Sequence, residues 1–252
     1  MLNTETLGSG PDLVFLHGLF GAGDNWKSIA RSLSDHYRIH LIDLPNHGRS
    51  AWVNDPSYPA IANIVEHWID QQDITSYRLL GHSMGGKIAM QMALNAHAQR
   101  IEKLIVVDIA PKFYPPHHQD IFKALNTIDL NLYQDRQSVE AQLAPWVEDQ
   151  GIRQFLLKSL YKKDGVLNWR FNYPILEQHY DEIAQAPTMN EPFRQPTLFI
   201  KGMNSQYISA EDQPQINALF PYAQAKLIEG AGHWPHAEKP NVFLKIIEKF
   251  LN

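Results

Sequence analysis

Gly81-His82-Ser83-Met84-Gly85 matches the pattern G-x-S-x-G. A serine set between glycines in this way could attack an acyl carbon. The apolar run Tyr77–Leu80 before it reads as a strand, and Met84–Ala96 after it has helical apolar spacing. That context turns a short motif into a strand–turn–helix elbow, which holds a serine hydroxyl exposed above a sheet. The glycines leave room for the turn. The helix N-terminus adds positive potential where an oxyanion would form.

A serine hydroxyl is a weak nucleophile and needs a base. Of twelve histidines, His233 in Gly230-Ala231-Gly232-His233-Trp234 lies between the last predicted strand and the closing helix. That puts it at the same sheet edge as Ser83, in the order serine, acid, histidine. His236 reads as rim or structure, and His82 as packing under the elbow. The base in turn needs an acid to hold its tautomer. An acid is common after the penultimate strand, but Ser205 stands there, in Gly202-Met203-Asn204-Ser205. Asp108 ends the preceding strand and is assigned the role, with Asp212 or Glu211 as substitutes. Backbone N–H groups of Leu19 and Met84 could form the oxyanion hole, with Phe20 able to replace Leu19. Phe20, Phe113, Trp146, Trp169, Tyr207 and Trp234 are candidates for a substrate pocket or for core. His47, in Asn46-His47-Gly48-Arg49-Ser50, reads as scaffold. Lys158, Lys162, Lys163 and Arg170 form a basic group that reads first as a solvated face, and otherwise as an attractor of a CoA phosphate.

The elements that must position these residues alternate. Strands are expected at Asn3–Thr6, Leu13–Leu16, Tyr37–Ile42, Tyr77–Leu80, Leu104–Val107, Thr197–Ile200 and Ala225–Ile228. Helices are expected at Asn25–Leu33, Tyr58–Gln71, Met84–Ala96 and Val242–Phe250. The alternation implies an α/β fold: a mostly parallel sheet with helices on both faces and right-handed connections. Lys112–Pro192 breaks the rhythm. It offers helical segments at Ile121–Leu125, Val139–Glu148 (interrupted by Pro145), Ile152–Leu160 and Pro174–Ile183, and no strand. It reads as an all-helical insert, giving a core of 1–111 and 193–252 with a cap at 112–192.

The chain has 252 residues, and at roughly 150 per domain that allows one large domain with a substantial insert. Hydrophobic residues at 44% and charged residues at 19% require a packed core and exclude a disordered chain. A formal net charge of −5 gives no electrostatic reason to bind nucleic acid or an anionic membrane. The absence of cysteine excludes disulfides, thiolate metal sites and a cysteine nucleophile. No apolar run approaches the roughly 18 residues that span a bilayer, and the N-terminus lacks a basic start and apolar core. The expectation is a soluble, cytoplasmic protein with no metal or organic cofactor and no membrane insertion. The sequence sets no oligomeric state.

Taken together, HGLFG at 17–21, DLPNHGRS at 43–50, GHSMGG at 81–86 and GAGHW at 230–234 resemble the α/β-hydrolase superfamily across nearly the whole chain. VVDIAP at 106–111, FLLKS at 155–159, WRFN at 169–172 and GAGHWPHAEKP at 230–240 resemble more closely its YbfF-type esterase branch. The resemblance implies an α/β-hydrolase fold with a helical cap and a catalytic acid in the DIAP segment, which agrees with Asp108. It also implies hydrolysis of short- to medium-chain esters and of acyl-CoA thioesters. Ser205 departs from the superfamily's common acid position but not from this branch. The same Ser83-His233-Asp108 set could serve C–C bond hydrolysis, perhydrolysis or a related lyase reaction. A non-catalytic ligand-binding scaffold is the reading from another class.

Overall fold

Leu13, Val14, Phe15 and Leu16 have no exposed surface at all. A strand covered on both faces needs a continuous apolar run rather than an alternating one, and this stretch supplies it. The computed structural model describes residues 1–95, 98–188 and 191–252. In chain order the first half runs β1 (Thr4–Leu7), β2 (Asp12–Leu16), α1 (Lys27–Leu33), β3 (Arg38–Ile42), α2 (Tyr58–Gln71), β4 (Tyr77–His82), α3 (Met84–Ala93) and β5 (Ile101–Val107). The chain then leaves the sheet. It makes α4 (Gln119–Thr127), α5 (Arg136–Leu143), α6 (Gln150–Lys158), β6 (Leu160–Lys163), β7 (Val166–Trp169), α7 (Tyr173–Gln178) and α8 (Tyr180–Ala184). It returns through β8 (Thr197–Gly202), α9 (Gln213–Leu219), β9 (Ala223–Ile228), α10 (Pro235–Glu238) and α11 (Pro240–Leu251).

The seven-stranded sheet has the order β1-β3-β2-β4-β5-β8-β9, parallel except for β1, which pairs antiparallel with β3. Side chains alternate across β2. Leu13 and Phe15 pack with Trp26, α1 and α11 on one face, while Val14 and Leu16 pack with α2 and α3 on the other. The register aligns the strand ends: Leu16 pairs with Ile42 and Gly81, His82 with Val107, and Val107 with Ile200. The loops that follow these strands therefore open at one carboxyl edge, where ligands bind in open α/β sheets.

The expected core strands and helices are present with small shifts at their ends. The first helix begins with a 3-10 turn at Gly23–Trp26. The expected end of α3 at Ala96 lies outside the described residues. The all-helical reading of the insert is overturned: β6 and β7 form an antiparallel hairpin. Its turn is Asp164-Gly165, with φ of 50° and 84°, the positive pair that a tight hairpin requires and that Asp-Gly favours. Leu160 pairs with Trp169, and both face the core while Lys162 and Lys163 face solvent. The hairpin also shortens the helix expected at Ile152–Leu160, which stops at Lys158. The segment expected at Pro174–Ile183 splits at His179 into α7 and α8. The segment expected at Val139–Glu148 starts at Arg136, capped by Asp135, and ends at Leu143 ahead of Pro145, which has no N–H to continue a helix.

Candidate active site

Ser83 follows β4 directly and caps α3, with φ 52° and ψ −121°. A non-glycine residue in that region is strained. The strain is held by close packing that only glycine allows. A Cβ on Gly81 would lie 2.2 Å from the Gly85 carbonyl oxygen, and one on Gly85 would lie 2.5 Å from that of Leu16. The Ser83 N–H donates to the Val107 carbonyl at 3.0 Å, tying the turn to the next strand.

His233 reaches this turn from the loop after β9. Its Nε2 lies 3.0 Å from Ser83 Oγ, and its Nδ1 lies 2.8 Å from Asp108 Oδ2. A carboxylate only accepts, so Nδ1 carries the proton and Nε2 is left to accept from the serine hydroxyl. Asp108 follows β5 with φ 52° and is fully buried. Its Oδ1 accepts from the Gly202 N–H at 3.0 Å, and its Oδ2 also accepts from the Ser205 hydroxyl. Ser205 thus serves the neighbouring strand's carboxylate as a donor. Asp212 is engaged elsewhere. Burial opposes its charge, but Lys112 at 2.8 Å and the Ser209 amide hold its carboxyl below the usual range. Glu211 is exposed.

Three further histidines brace the geometry. His82 Nε2 donates to the His233 carbonyl at 2.8 Å, and burial with His233 and His236 alongside pushes its pKa well down. His236 stacks on Trp26 at 4.1 Å, behind the loop, and burial lowers it to about 3. His17 accepts from the Leu44 N–H at 2.9 Å and sits 2.8 Å from the Gly18 carbonyl, so it is neutral with the proton on Nδ1. Burial lowers its pKa to about 4. His17 fixes the loop after β2, and a Cβ on Gly18 would come within 3.2 Å of Ser83 Cβ. Leu19 follows in that loop, and its N–H makes no hydrogen bond among the described residues. The Met84 N–H opens α3 and has no intrahelical partner. His47 is buried, with Nδ1 2.9 Å from the Pro45 carbonyl, and it packs edge-on against His17.

A cavity of about 350 Å³ opens over Ser83. That volume suits a small organic ligand. Phe20, Trp146, Tyr207 and Trp234 line it with Ser83 and His233. Tyr207 stacks on the His233 ring, with centroids 3.9 Å apart and planes 19° apart. Phe113 does not belong to the site. It is 48% exposed and lines neither this cavity nor the smaller one beside it, although its neighbour Tyr114 lines the smaller. Trp169 is buried in the hairpin, stacked on Phe171. Lys158, Lys162, Lys163 and Arg170 line neither cavity, whereas Asp120, Glu148 and Asp149 line the larger one. Sequence reasoning did not find the Ser205–Asp108 bond, the Tyr207 stack or the brace from His17. For His17 the signal was its position directly after β2, and for Ser205 its place in the loop after β8, both at the carboxyl edge. Among the described residues no three histidine, aspartate or glutamate side chains gather as metal ligands. No helix there is long and apolar enough to cross a membrane.

The chain belongs to the α/β hydrolase fold family, which matches residues 11–240. It is 40% identical over 246 residues to the esterase YbfF of Escherichia coli strain K12, covering 95% of this chain and 92% of that one. The sn-1-specific diacylglycerol lipase ABHD11 of Xenopus tropicalis is 39% identical over 250 residues, covering 96% of this chain and 78% of the relative. A solved structure of a marine microorganism esterase matches with a TM-score of 0.96 at 40% identity, over 99% of this chain and 98% of that one.

Proposed function

We propose that this protein is a serine carboxylester hydrolase in which Ser83 is the nucleophile, His233 the base and Asp108 the orienting acid. The observation that carries the reading is the hydrogen-bonded chain from Ser83 Oγ through His233 to buried Asp108, at the carboxyl edge of the sheet. Ser83 Oγ attacks the ester carbonyl carbon and its proton passes to His233 Nε2. The carbonyl oxygen becomes an oxyanion held by the Leu19 and Met84 amides. Collapse breaks the bond to the leaving oxygen, which takes the proton from His233. Water then attacks the acyl-serine, giving its proton to His233, and the second collapse returns that proton to Ser83 and frees the acid. Asp108 stays ionised and stabilises the imidazolium.

Residues 112–192 act in this reading as a cap, excluding water and walling the cavity. Its Ser159 hydroxyl donates to the Phe20 carbonyl at 2.9 Å, which ties the cap to the loop carrying Leu19. The same chemistry would cleave a thioester. The acidic lining from Asp120, Glu148 and Asp149 favours uncharged esters over the polyanionic CoA thioesters. Both YbfF and ABHD11 bear names of ester-cleaving enzymes, which supports the assignment.

The test is hydrolysis of a short aryl acetate by wild type and Ser83→Ala. Turnover in the wild type should fall at least about a thousandfold in the variant, the scale of losing a nucleophile. Equal rates in the two would remove Ser83 from the chemistry.

A further inference from the structure

Ser83 sits between two cavities of unequal size. The larger, about 350 Å³, is lined by His233 and Trp234. The smaller, about 40 Å³, is lined by Met84, Lys87, Ile109, Tyr58 and Ile183, and neither His233 nor Trp234 reaches it. Chemistry separates the two halves of an ester at this point. The leaving oxygen must take its proton from His233 Nε2, so the leaving group lies on the histidine's side. The acyl chain projects from the same carbon, away from that nitrogen.

We infer that the small chamber receives the acyl half of the substrate and the large cavity its leaving group, so that the preferred esters join a very short acyl group to a bulky apolar alcohol. This rests on the serine-hydrolase reading above. Capacity sets the acyl limit. A water needs ~10–15 Å³ on this measure, so the chamber has room for about three, the size of a two- or three-carbon acyl group. Two polar groups of the chamber wall are already engaged. Lys87 Nζ, one helical turn beyond Ser83, is held by the Ala184 carbonyl at 3.0 Å and by that of Gln185. The Tyr58 hydroxyl donates to the Ile183 carbonyl. A longer chain would press methylene groups against the Lys87 amine, whose Nζ is committed to two backbone carbonyls. Entering the other way round, a long acyl chain would fill the large cavity but turn the leaving oxygen away from His233. Phe20, Trp146 and Trp234 become walls for the leaving group rather than for the acyl chain.

Two constitutional isomers test this: octyl acetate and ethyl octanoate, which contain the same atoms divided oppositely about the carbonyl. Released acid is measured with wild type and with Ser83→Ala. Octyl acetate should show the higher kcat/KM by about tenfold or more, since single methylenes in a tight pocket already discriminate on that scale. Ile183→Ala, which removes volume from the chamber wall, should narrow the gap. Ethyl octanoate turned over equally well or better, with Ser83 still required, would overturn this division while leaving the serine-hydrolase reading standing. Failure of wild type on both isomers and on a short aryl acetate would overturn the two together.

Discussion

Asp108 has no exposed surface, and its two oxygens accept three hydrogen bonds from His233, the Gly202 amide and the Ser205 hydroxyl. Burial of a carboxylate is tolerated only when its oxygens are satisfied in this way. The three donors are not equivalent, and this grades their removal. Asp108→Asn replaces an acceptor oxygen facing His233 Nδ1 and favours the wrong tautomer, so kcat should fall by about 10⁴-fold. Ser205→Ala removes one donor to a charged acceptor, a bond worth about 1.5–3 kcal/mol, but leaves His233 and Gly202 in place. A loss of about tenfold is expected there. The pair is read by kcat with the circular dichroism spectrum unchanged. Near-normal turnover by Asp108→Asn would take the orienting role from Asp108.

At the scale of elements, β8 and the histidine loop are set against each other with no room to spare. A Cβ on Gly202 would stand 2.0 Å from the Gly232 carbonyl oxygen, one residue before His233. Gly202→Ala must therefore push the loop outward. A displacement of about 1 Å at a catalytic group can cost 10²-fold in rate, so kcat should drop by about that factor while the sheet persists. Rate and far-ultraviolet circular dichroism measured together check this, and an unaltered rate would mean that the loop yields without moving His233. The hairpin shows what a local signal can carry. Asp164-Gly165 between Leu160–Lys163 and Val166–Trp169 is a two-residue turn between two short runs, visible in the sequence by ordinary turn chemistry. The helical reading of that stretch let the spacing of Ile152–Leu160 run on past Lys158, where the hairpin takes over.

The whole molecule carries a set of histidines buried without charge. Burial lowers His17 to about 4, and His47 and His236 to about 3. Each binds its proton in the unfolded chain near pH 6.5 but not in the folded one. Between roughly pH 6.5 and 4 the unfolded state therefore holds more protons, and stability rises with pH there. Their contribution is complete above about pH 6.5 and is lost progressively as pH falls from there toward the folded values. Each group adds a slope of up to about 1.4 kcal/mol per pH unit. Urea unfolding at pH 7, 6 and 5 should show a steep decline in stability. A flat profile would mean that these rings take up protons without unfolding.

Some of this protein is written in short stretches of chain. The buried run Leu13–Leu16, the glycine-flanked Ser83 and the helical spacing of Tyr58–Gln71 depend on neighbours within a few residues, and each is legible by eye. The order of strands and helices follows, and with it the α/β fold and the edge at which Ser83, Asp108 and His233 gather. Other features rest on contacts between residues far apart in sequence. That Asp108 rather than Asp212 meets His233 depends on the register of β5 against β8 and on Lys112 occupying Asp212. Phe113 and Trp146 are both apolar aromatics of the insert, yet one turns to solvent and the other walls the cavity. That Lys87 meets the Ala184 and Gln185 carbonyls beside Ser83 depends on a contact across nearly a hundred residues of chain. Local pattern fixes which way a backbone runs, whereas the direction and company of a side chain are settled only when distant elements pack against it.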